Sequence, residues 1–214
     1  MGTTGPVGFD LDLTLIDSRS AIMASWQAVI DETGVNIDLD EVDRRMGVKL
    51  EDEVTFWFSA ADQARAAECY RRHYVQLALT LTTLLPGAAE ALSAVRQAGE
   101  RAVIVTAKHP VSVQPSMAAV GLEADEVFTH VHGQEKAAVL ARLHAAAYVG
   151  DTPSDMLAAR HAHATAVGVP TGSFGTEALQ ESGAEVVLRS LTEFPSWYAA
   201  FRDNPTREDM TDGD

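Results

Sequence analysis

The chain has 214 residues, and its content of 46% hydrophobic and 22% charged residues is typical of a globular protein, which excludes a disordered or collagen-like chain. Sixteen basic residues against 31 acidic ones give a formal net charge of −15, which repels phosphate backbones and anionic lipid surfaces. We therefore expect no nucleic-acid partner and no membrane partner. No apolar run approaches the ~20 residues that a membrane-spanning helix needs.

The first residues lack the basic and apolar regions of a signal peptide, and the lone cysteine, Cys69, fits a reducing compartment. We expect a cytoplasmic protein. The sequence leaves its assembly open between a monomer and a homodimer.

Three short apolar runs, each followed by a polar residue, predict parallel strands that are covered on both faces. The runs and the residues that follow them are 7–9 with Asp10, 102–105 with Thr106, and 147–150 with Asp151. Further apolar runs at 164–169 and 185–188 predict two more strands. Helical patterns alternate with these runs, at 86–98, 111–120, 135–143, 153–163, 177–181 and 191–201. This alternation predicts a doubly wound, Rossmann-like α/β fold.

The connection after the first strand is much longer than a βαβ crossover requires, because residues 11–100 separate this strand from the next. Helical patterns fill it, at 20–32, 39–46, 50–58 and 60–79. We therefore predict a core formed by residues 1–17 and 86–202, an inserted all-helical cap at 18–85, and a flexible acidic tail at 203–214.

Acidic residues follow two of the predicted strands. Asp10 and Asp12 come after the first strand, and Asp151 and Asp155 come after the run at 147–150. The carboxyl ends of parallel strands meet at one edge of the sheet, where ligands bind. Four carboxyl groups at one edge predict a site for a hard cation, with Mg²⁺ as the expected ion.

These segments resemble the four motifs of the haloacid dehalogenase superfamily, and they occur in the same order. Asp10-Leu11-Asp12-Leu13-Thr14-Leu15 is similar to the first motif, although Leu13 stands where many relatives have glycine. Thr106 is similar to the second motif, Lys136 to the lysine of the third, and 150–155 to the fourth. The helical insertion resembles the cap of phosphoglycolate phosphatase and its relatives.

The resemblance implies phosphoryl transfer, because dehalogenases of the superfamily replace the second acid by an aromatic residue and phosphonatases replace it by alanine, whereas Asp12 is retained here. We expect Mg²⁺-dependent hydrolysis of a small phosphorylated metabolite. An ordinary carboxyl is ionised at pH 7, so that Asp10 can attack phosphorus and form an aspartyl-phosphate. Asp12 can protonate the leaving group and later deprotonate water.

The negatively charged phosphoryl oxygens need hydrogen-bond donors from the protein. Candidates are the Thr106 hydroxyl, the Lys136 ammonium, and the backbone amides of Leu11, Asp12 and Ala107. Lys136 precedes Asp151 by only 15 residues, and this spacing leaves Lys108 as an alternative to Lys136 as the phosphate-binding amine.

The loop around Met46-Gly47-Val48-Lys49-Leu50 resembles the cap segment that selects the substrate in related proteins, so Arg45, Gly47 and Lys49 are the candidate specificity residues. Two alternative functions stay open at this point. A phosphotransferase or sugar-phosphate mutase would use the same intermediate on Asp10, and a binding module would hold a phosphorylated ligand without turnover.

Overall fold

Six parallel strands form the central sheet of the computed structural model, which describes residues 5–203. The strands are β1 (Val7–Phe9), β4 (Ala102–Val105), β5 (Glu126–Phe128), β6 (Ala147–Gly150), β7 (Thr165–Gly168) and β8 (Val186–Val187). Their order in the sheet is β5-β4-β1-β6-β7-β8, so that β1 lies between β4 and β6. This architecture confirms the predicted doubly wound α/β class.

Helices cover both faces of the sheet, which explains why its strands are continuously apolar. The core helices are α5 (Ala88–Gln97), α6 (Pro110–Val120), α7 (Gln134–Leu143), α8 (Pro153–His161), α9 (Thr176–Glu181) and α10 (Phe194–Asp203). Ile104 of β4 packs in one apolar cluster with Phe194 of α10, whereas the next residue, Val105, packs on the opposite face with Leu140 of α7. Alternate side chains of one strand are therefore buried in two different layers.

Four helices lie between the short strands β2 (Ile16–Asp17) and β3 (Thr83–Leu84), and we call the segment from Arg19 to Leu81 the helical insertion. They are α1 (Arg19–Thr33), α2 (Leu39–Arg44), α3 (Leu50–Trp57) and α4 (Gln63–Leu81). β2 and β3 pair antiparallel, so that the chain leaves the core and returns to it at adjacent points. The insertion has an apolar cluster of its own, built around Trp26, Tyr70 and Tyr74.

Several boundaries differ from those predicted. The sequence does not predict β2, β3 and β5, because each is only two or three residues long and carries no clear apolar run. α4 begins at Gln63 instead of residue 60, and the last helical segment is a short 3₁₀ turn, Leu191–Glu193, followed by α10. Residues 204–214 of the predicted tail and residues 1–4 lie outside the described residues. No helix in the described range has the length and apolar character to cross a membrane.

Gly87 forms the turn that returns the chain from the insertion to the core. Its φ is +88°, and a Cβ there would lie 2.2 Å from the backbone nitrogen of Thr192. Only glycine fits, because the left-handed conformation is unfavourable for other residues and the neighbouring backbone cannot move aside cheaply.

We predict that Gly87→Ala destabilises the protein by clearly more than the ~1–2 kcal/mol that a left-handed conformation costs. Gly99→Ala is the matched control, since Gly99 has a φ of +83° and a Cβ there would have no atom within 4 Å. Urea unfolding of both variants measures the difference. Equal losses of unfolding free energy in the two variants would show that the close approach to Thr192 does not destabilise Gly87→Ala.

Candidate active site

The polar residues that follow β1, β4 and β6 meet at one edge of the sheet. Asp10, Thr106 and Asp151 are 4%, 1% and 2% exposed, and all three line one cavity. They converge because β1 pairs in parallel with both β4 and β6. The edge predicted from the sequence is therefore the place where these side chains lie.

Three carboxylates form a buried group at this edge. Oxygen atoms of Asp10, Asp151 and Asp155 all lie within 4.8 Å of one another, and each of the three residues is buried. Like charges this close repel strongly unless a cation or a proton lies among them.

Lys136 of α7 supplies one positive charge to this group. Its Nζ donates to Oδ1 of Asp10 at 2.8 Å and to Oδ1 of Asp155 at 2.7 Å. Burial by itself would lower the pKa of Lys136, but the two carboxylates outweigh burial and hold this pKa well above its usual value. Lys136 is therefore a permanently charged ammonium at the centre of the site.

The lysine does not neutralise the whole group. Burial raises the pKa of Asp10 to about 6, although the charge of Lys136 acts in the opposite direction. Burial and the neighbouring carboxylates of Asp155 and Asp10 raise the pKa of Asp151 well above its usual value. Three carboxylates and one ammonium leave a net charge of −2 when all are ionised.

Asp151 has a hydroxyl and a glycine as its close neighbours. Thr14 Oγ1 donates to Asp151 Oδ1 at 3.0 Å, which ties the loop after β1 to the loop after β6. On the other side, a Cβ at Gly172 would lie 1.9 Å from Asp151 Oδ2. Gly172 therefore makes the room that this carboxylate occupies.

Both carboxylate oxygens of Asp155 accept hydrogen bonds from neighbouring residues. Thr152 donates to Asp155 Oδ2 from its hydroxyl at 2.6 Å and from its backbone nitrogen at 3.2 Å, forming the capping box of α8. The Tyr148 hydroxyl lies 3.3 Å from Oδ1, the oxygen that also binds Lys136. Asp155, itself bound by Thr152 and Tyr148, thus holds Lys136 in position.

Asp12 pairs with a different lysine from the one that binds Asp10 and Asp155. Its Oδ1 accepts from Lys108 Nζ at 2.7 Å and from Ser18 Oγ at 2.5 Å. The Lys108 ammonium also lies 4.2 Å from the centre of the Tyr74 ring. Lys136 therefore binds Asp10, whereas Lys108 binds Asp12. The two lysines that the sequence leaves as alternatives thus have different partners.

The loop between these acids is strained at one residue. Leu13 has a φ of +59°, in the left-handed region that favours glycine. Thr171 stabilises this conformation by donating its hydroxyl to the Leu13 carbonyl. The turn between Asp12 and Thr14 is held in place by this contact and by the bond from Thr14 to Asp151.

A cavity of about 100 Å³ lies between this edge and the helical insertion. Its floor includes Asp10, Asp12, Thr106, Ala107 and Lys108. Arg45 and Gly47 of the insertion also line it, whereas Lys49 is not among the described residues that do so. Lys49 is instead 2.5 Å from Glu135, in an ion pair that joins the insertion to the core beside Lys136.

Two further contacts hold the insertion over the cavity. Tyr74 of α4 and Ser116 of α6 share a buried hydrogen bond of 2.9 Å between their hydroxyls. Ser173, next to Gly172, donates to the backbone carbonyl of Asp43 at 2.9 Å. The structure therefore shows the insertion closed onto the sheet edge.

Residues 7–169 match the family model of the haloacid dehalogenase-like hydrolases. This match covers most of the chain and includes every acid and lysine described above. The chain belongs to the haloacid dehalogenase-like hydrolase family. No curated protein matches it significantly.

Solved structures of similar fold include three that span nearly the whole chain. A hydrolase from Pseudomonas syringae is 23% identical, with a TM-score of 0.77 over 92% of this chain and 98% of that one. A predicted phosphoglycolate phosphatase from Haemophilus somnus is 18% identical, with a TM-score of 0.79 over 92% and 100%. CbbY from Rhodobacter sphaeroides, solved in complex with phosphate, is 17% identical, with a TM-score of 0.75 over 88% and 95%. At these identities the likeness concerns the fold.

Several residues of the site could not be foreseen from the sequence. Gly172 follows β7, so the rule that ligands lie beyond the carboxyl ends of strands points to its loop, although nothing in the sequence shows that it approaches Asp151. Tyr148, Ser18 and the pairing of Lys49 with Glu135 carry no sequence signal, because their partners come from distant segments or depend on the placement of the insertion.

The acidic group fits a divalent cation. Among the groups of acidic, histidine and cysteine side chains in the described residues that are close enough to hold a metal, the group of Asp10, Asp151 and Asp155 is the one in which all members are buried. The charge of −2 that Lys136 leaves is the charge that Mg²⁺ balances, and carboxylate oxygens are the ligands it prefers.

We predict that Asp151→Asn raises the thermal unfolding midpoint of the chelator-treated protein at pH 8. A raised pKa means that the folded state prefers protonated Asp151, so stability is present at low pH and is lost as pH rises above the ordinary value of 3.8. The substitution removes this loss. A gain of about 1 kcal/mol corresponds to ~2–4 °C for a chain of this size.

The gain should shrink as the pH falls below the ordinary pKa of 3.8, where the carboxyl is largely protonated in folded and unfolded chains alike. Added Mg²⁺ should stabilise the parent protein more than the variant. A variant that is less stable than the parent in chelator at pH 8 would contradict the account of Asp151 as an uncompensated charge.

Proposed function

We propose that the protein is a Mg²⁺-dependent phosphatase that hydrolyses a small phosphomonoester through an aspartyl-phosphate on Asp10. The observation that carries the proposal is the placement of Asp10. Its carboxylate is buried, lies 2.8 Å from the Lys136 ammonium and borders a cavity that Asp12 also lines. Membership of the hydrolase family supports the same reaction class.

Asp10 and Asp151 would hold Mg²⁺ through their carboxylates, together with the backbone carbonyl of Asp12, and Asp155 would complete the acidic group through its bond to Lys136. When bound, the ion would supply the positive charge that allows an anionic phosphate to approach these carboxylates. Lys136 adds one more positive charge on the same side.

In the first step, a carboxylate oxygen of Asp10 attacks phosphorus. A bond forms between this oxygen and phosphorus, and the bond from phosphorus to the ester oxygen breaks. Asp12 gives its proton to the departing oxygen, so that an alcohol leaves. Ser18 and Lys108 both bind Oδ1 of Asp12, which leaves Oδ2 to carry that proton.

In the second step, the carboxylate of Asp12 accepts a proton from water as the water oxygen attacks the phosphoryl group. The bond between phosphorus and Asp10 breaks, and inorganic phosphate leaves. Both acids return to their starting state. The fixed pairing of Asp12 with Lys108 keeps this group in place through both proton transfers.

The developing charge on the phosphoryl oxygens requires donors that are already in position. We assign this role to the Lys136 ammonium, the Thr106 hydroxyl and the backbone amides of Leu11, Asp12 and Ala107, with Lys108 at the side of the leaving group. Thr106 itself accepts from the Lys108 backbone nitrogen at 3.2 Å, which orients its hydroxyl. A structural neighbour solved with phosphate supports an oxyanion site on this fold.

The helical insertion acts in this proposal as a cap that closes over the substrate. Arg45 and Gly47 line the cavity from the insertion side and are retained as specificity residues. Lys49, which pairs with Glu135, is assigned instead to holding the cap closed beside Lys136.

We predict that Asp10→Asn lowers the hydrolysis of p-nitrophenyl phosphate by at least about 1,000-fold, because a neutral amide cannot act as the nucleophile. Asp31→Asn is the matched control, since Asp31 is an exposed acid on α1 that lies outside the cavity lining. Chelator should stop the parent enzyme, and Mg²⁺ should restore it.

The product of this reaction should be free phosphate. Full activity of the Asp10→Asn variant would remove Asp10 from the mechanism. Appearance of labelled phosphate on an added acceptor instead of in solution would favour a phosphotransferase, and binding without any turnover would favour a binding module.

A second prediction concerns Gly172. We expect Gly172→Ala to displace the Asp151 carboxylate and to lower phosphatase activity by about tenfold to a hundredfold, the cost of a misplacement of about 1 Å. Gly175→Ala is the control in the same loop, because no atom lies within 4 Å of a Cβ there. Equal activity of the two variants would show that Gly172 does not shape the site.

A further inference from the structure

The cavity is polar on its core side and apolar on the side of the insertion. Asp10, Asp12, Asp151, Lys108 and Thr106 lie on the floor, where the phosphoryl group belongs. The roof is formed by side chains of the insertion, chiefly Ile22, Trp26, Val42, Met46, Tyr70 and Tyr74. The part of the substrate that is not phosphate must lie against this roof.

We propose that the organic group of the substrate is small, uncharged and largely apolar. This inference rests on the proposed phosphatase function and adds the substrate class to it. It follows from three features of the cavity. These are its small volume, the pairing of Arg45 with Glu53, and the small number of hydrogen-bonding atoms on its roof.

The volume limits the size of the substrate. A cavity of about 100 Å³ is well below the ~300–1,000 Å³ of typical small-molecule sites. It therefore favours a substrate whose organic group is a short chain over a larger one.

Arg45 is the cation that the described part of the insertion presents to the cavity, and it is already paired. Its Nε donates to Glu53 Oε2 at 2.9 Å, and the other oxygen of Glu53 accepts from Trp57 Nε1 at 2.8 Å. Glu53 is 5% exposed, so its carboxylate is buried beside Arg45. A substrate carboxylate at the roof would therefore meet a neutral pair instead of a free positive charge.

The roof also offers few partners to substrate hydroxyls. The Tyr74 hydroxyl is bonded to Ser116, and its ring lies below the Lys108 ammonium. Of the other five side chains named above as the roof, Trp26 and Tyr70 are the two that carry a strong hydrogen-bonding atom. Hydroxyls that lose water without finding partners disfavour a polyol, whereas each methylene that leaves water improves binding by about fourfold.

The test compares esters of similar size. We expect kcat/KM for isopentyl phosphate to exceed the values for glycerol 3-phosphate and 2-phosphoglycolate by about tenfold or more. Calorimetric binding of the same three esters to the non-hydrolysing Asp10→Asn variant in Mg²⁺ should show the same order. Equal or better use of glycerol 3-phosphate or 2-phosphoglycolate would overturn the inference and leave the phosphatase function intact.

Met46 provides a matched pair of variants. Met46→Gln places an amide on the roof with little change in volume and should lower the preference for isopentyl phosphate over glycerol 3-phosphate by about threefold or more. Met23→Gln makes the same change on α1, where Met23 packs against the apolar cluster of the insertion and lies outside the cavity lining. This variant should keep the parental ratio.

The two proposals fail in different ways. An unchanged ratio in Met46→Gln would overturn the inference, because the roof would then play no part in selection. Absence of phosphate release from every ester would overturn the phosphatase function, while binding to Asp10→Asn in the expected order would still support the substrate class.

Discussion

The carboxylates of Asp10, Asp151 and Asp155 are buried within 4.8 Å of one another, and only Lys136 among the described residues pairs with them through an ammonium group. This imbalance of charge is the constraint on which the rest of the site depends. Burial, together with the neighbouring carboxylates, raises the pKa values of Asp10 and Asp151, so that without a further cation the folded protein favours protons on these acids. In the proposed function, the metal-free protein gives up stability so that the site can hold a divalent ion and an anionic substrate.

The fold creates this arrangement by placing β1 between β4 and β6, which brings the acids to one edge of the sheet. Neighbouring residues then hold each acid in position. The capping box of α8 holds Asp155, Gly172 leaves room for Asp151, and the Lys108 ammonium pairs with Asp12. The helical insertion then covers the edge with an apolar roof. In the two proposals, the polar floor receives the phosphate and the apolar roof receives a small carbon chain.

Much of this could be predicted from the sequence, because the signals are local. An apolar run followed by Asp10 or Asp151 identifies both a buried strand and the edge at which its acid lies. Contacts between distant segments could not be predicted in the same way. The close approach of Gly172 to Asp151 and the pairing of Lys49 with Glu135 depend on how loops and the insertion are placed. The partition between Lys136 and Lys108 likewise emerged only from the geometry of the two acids that they serve.

Calorimetric titration of the metal-free protein with Mg²⁺ near pH 6, in buffers that differ in their heat of protonation, tests the central claim most directly. Because metal ligands must lose their protons, binding at carboxyls with raised pKa values should release protons to the buffer. The account predicts one ion per chain, bound with proton release that diminishes as pH rises above the pKa of about 6 for Asp10. Absence of binding, or binding with no proton release at pH 6, would contradict it.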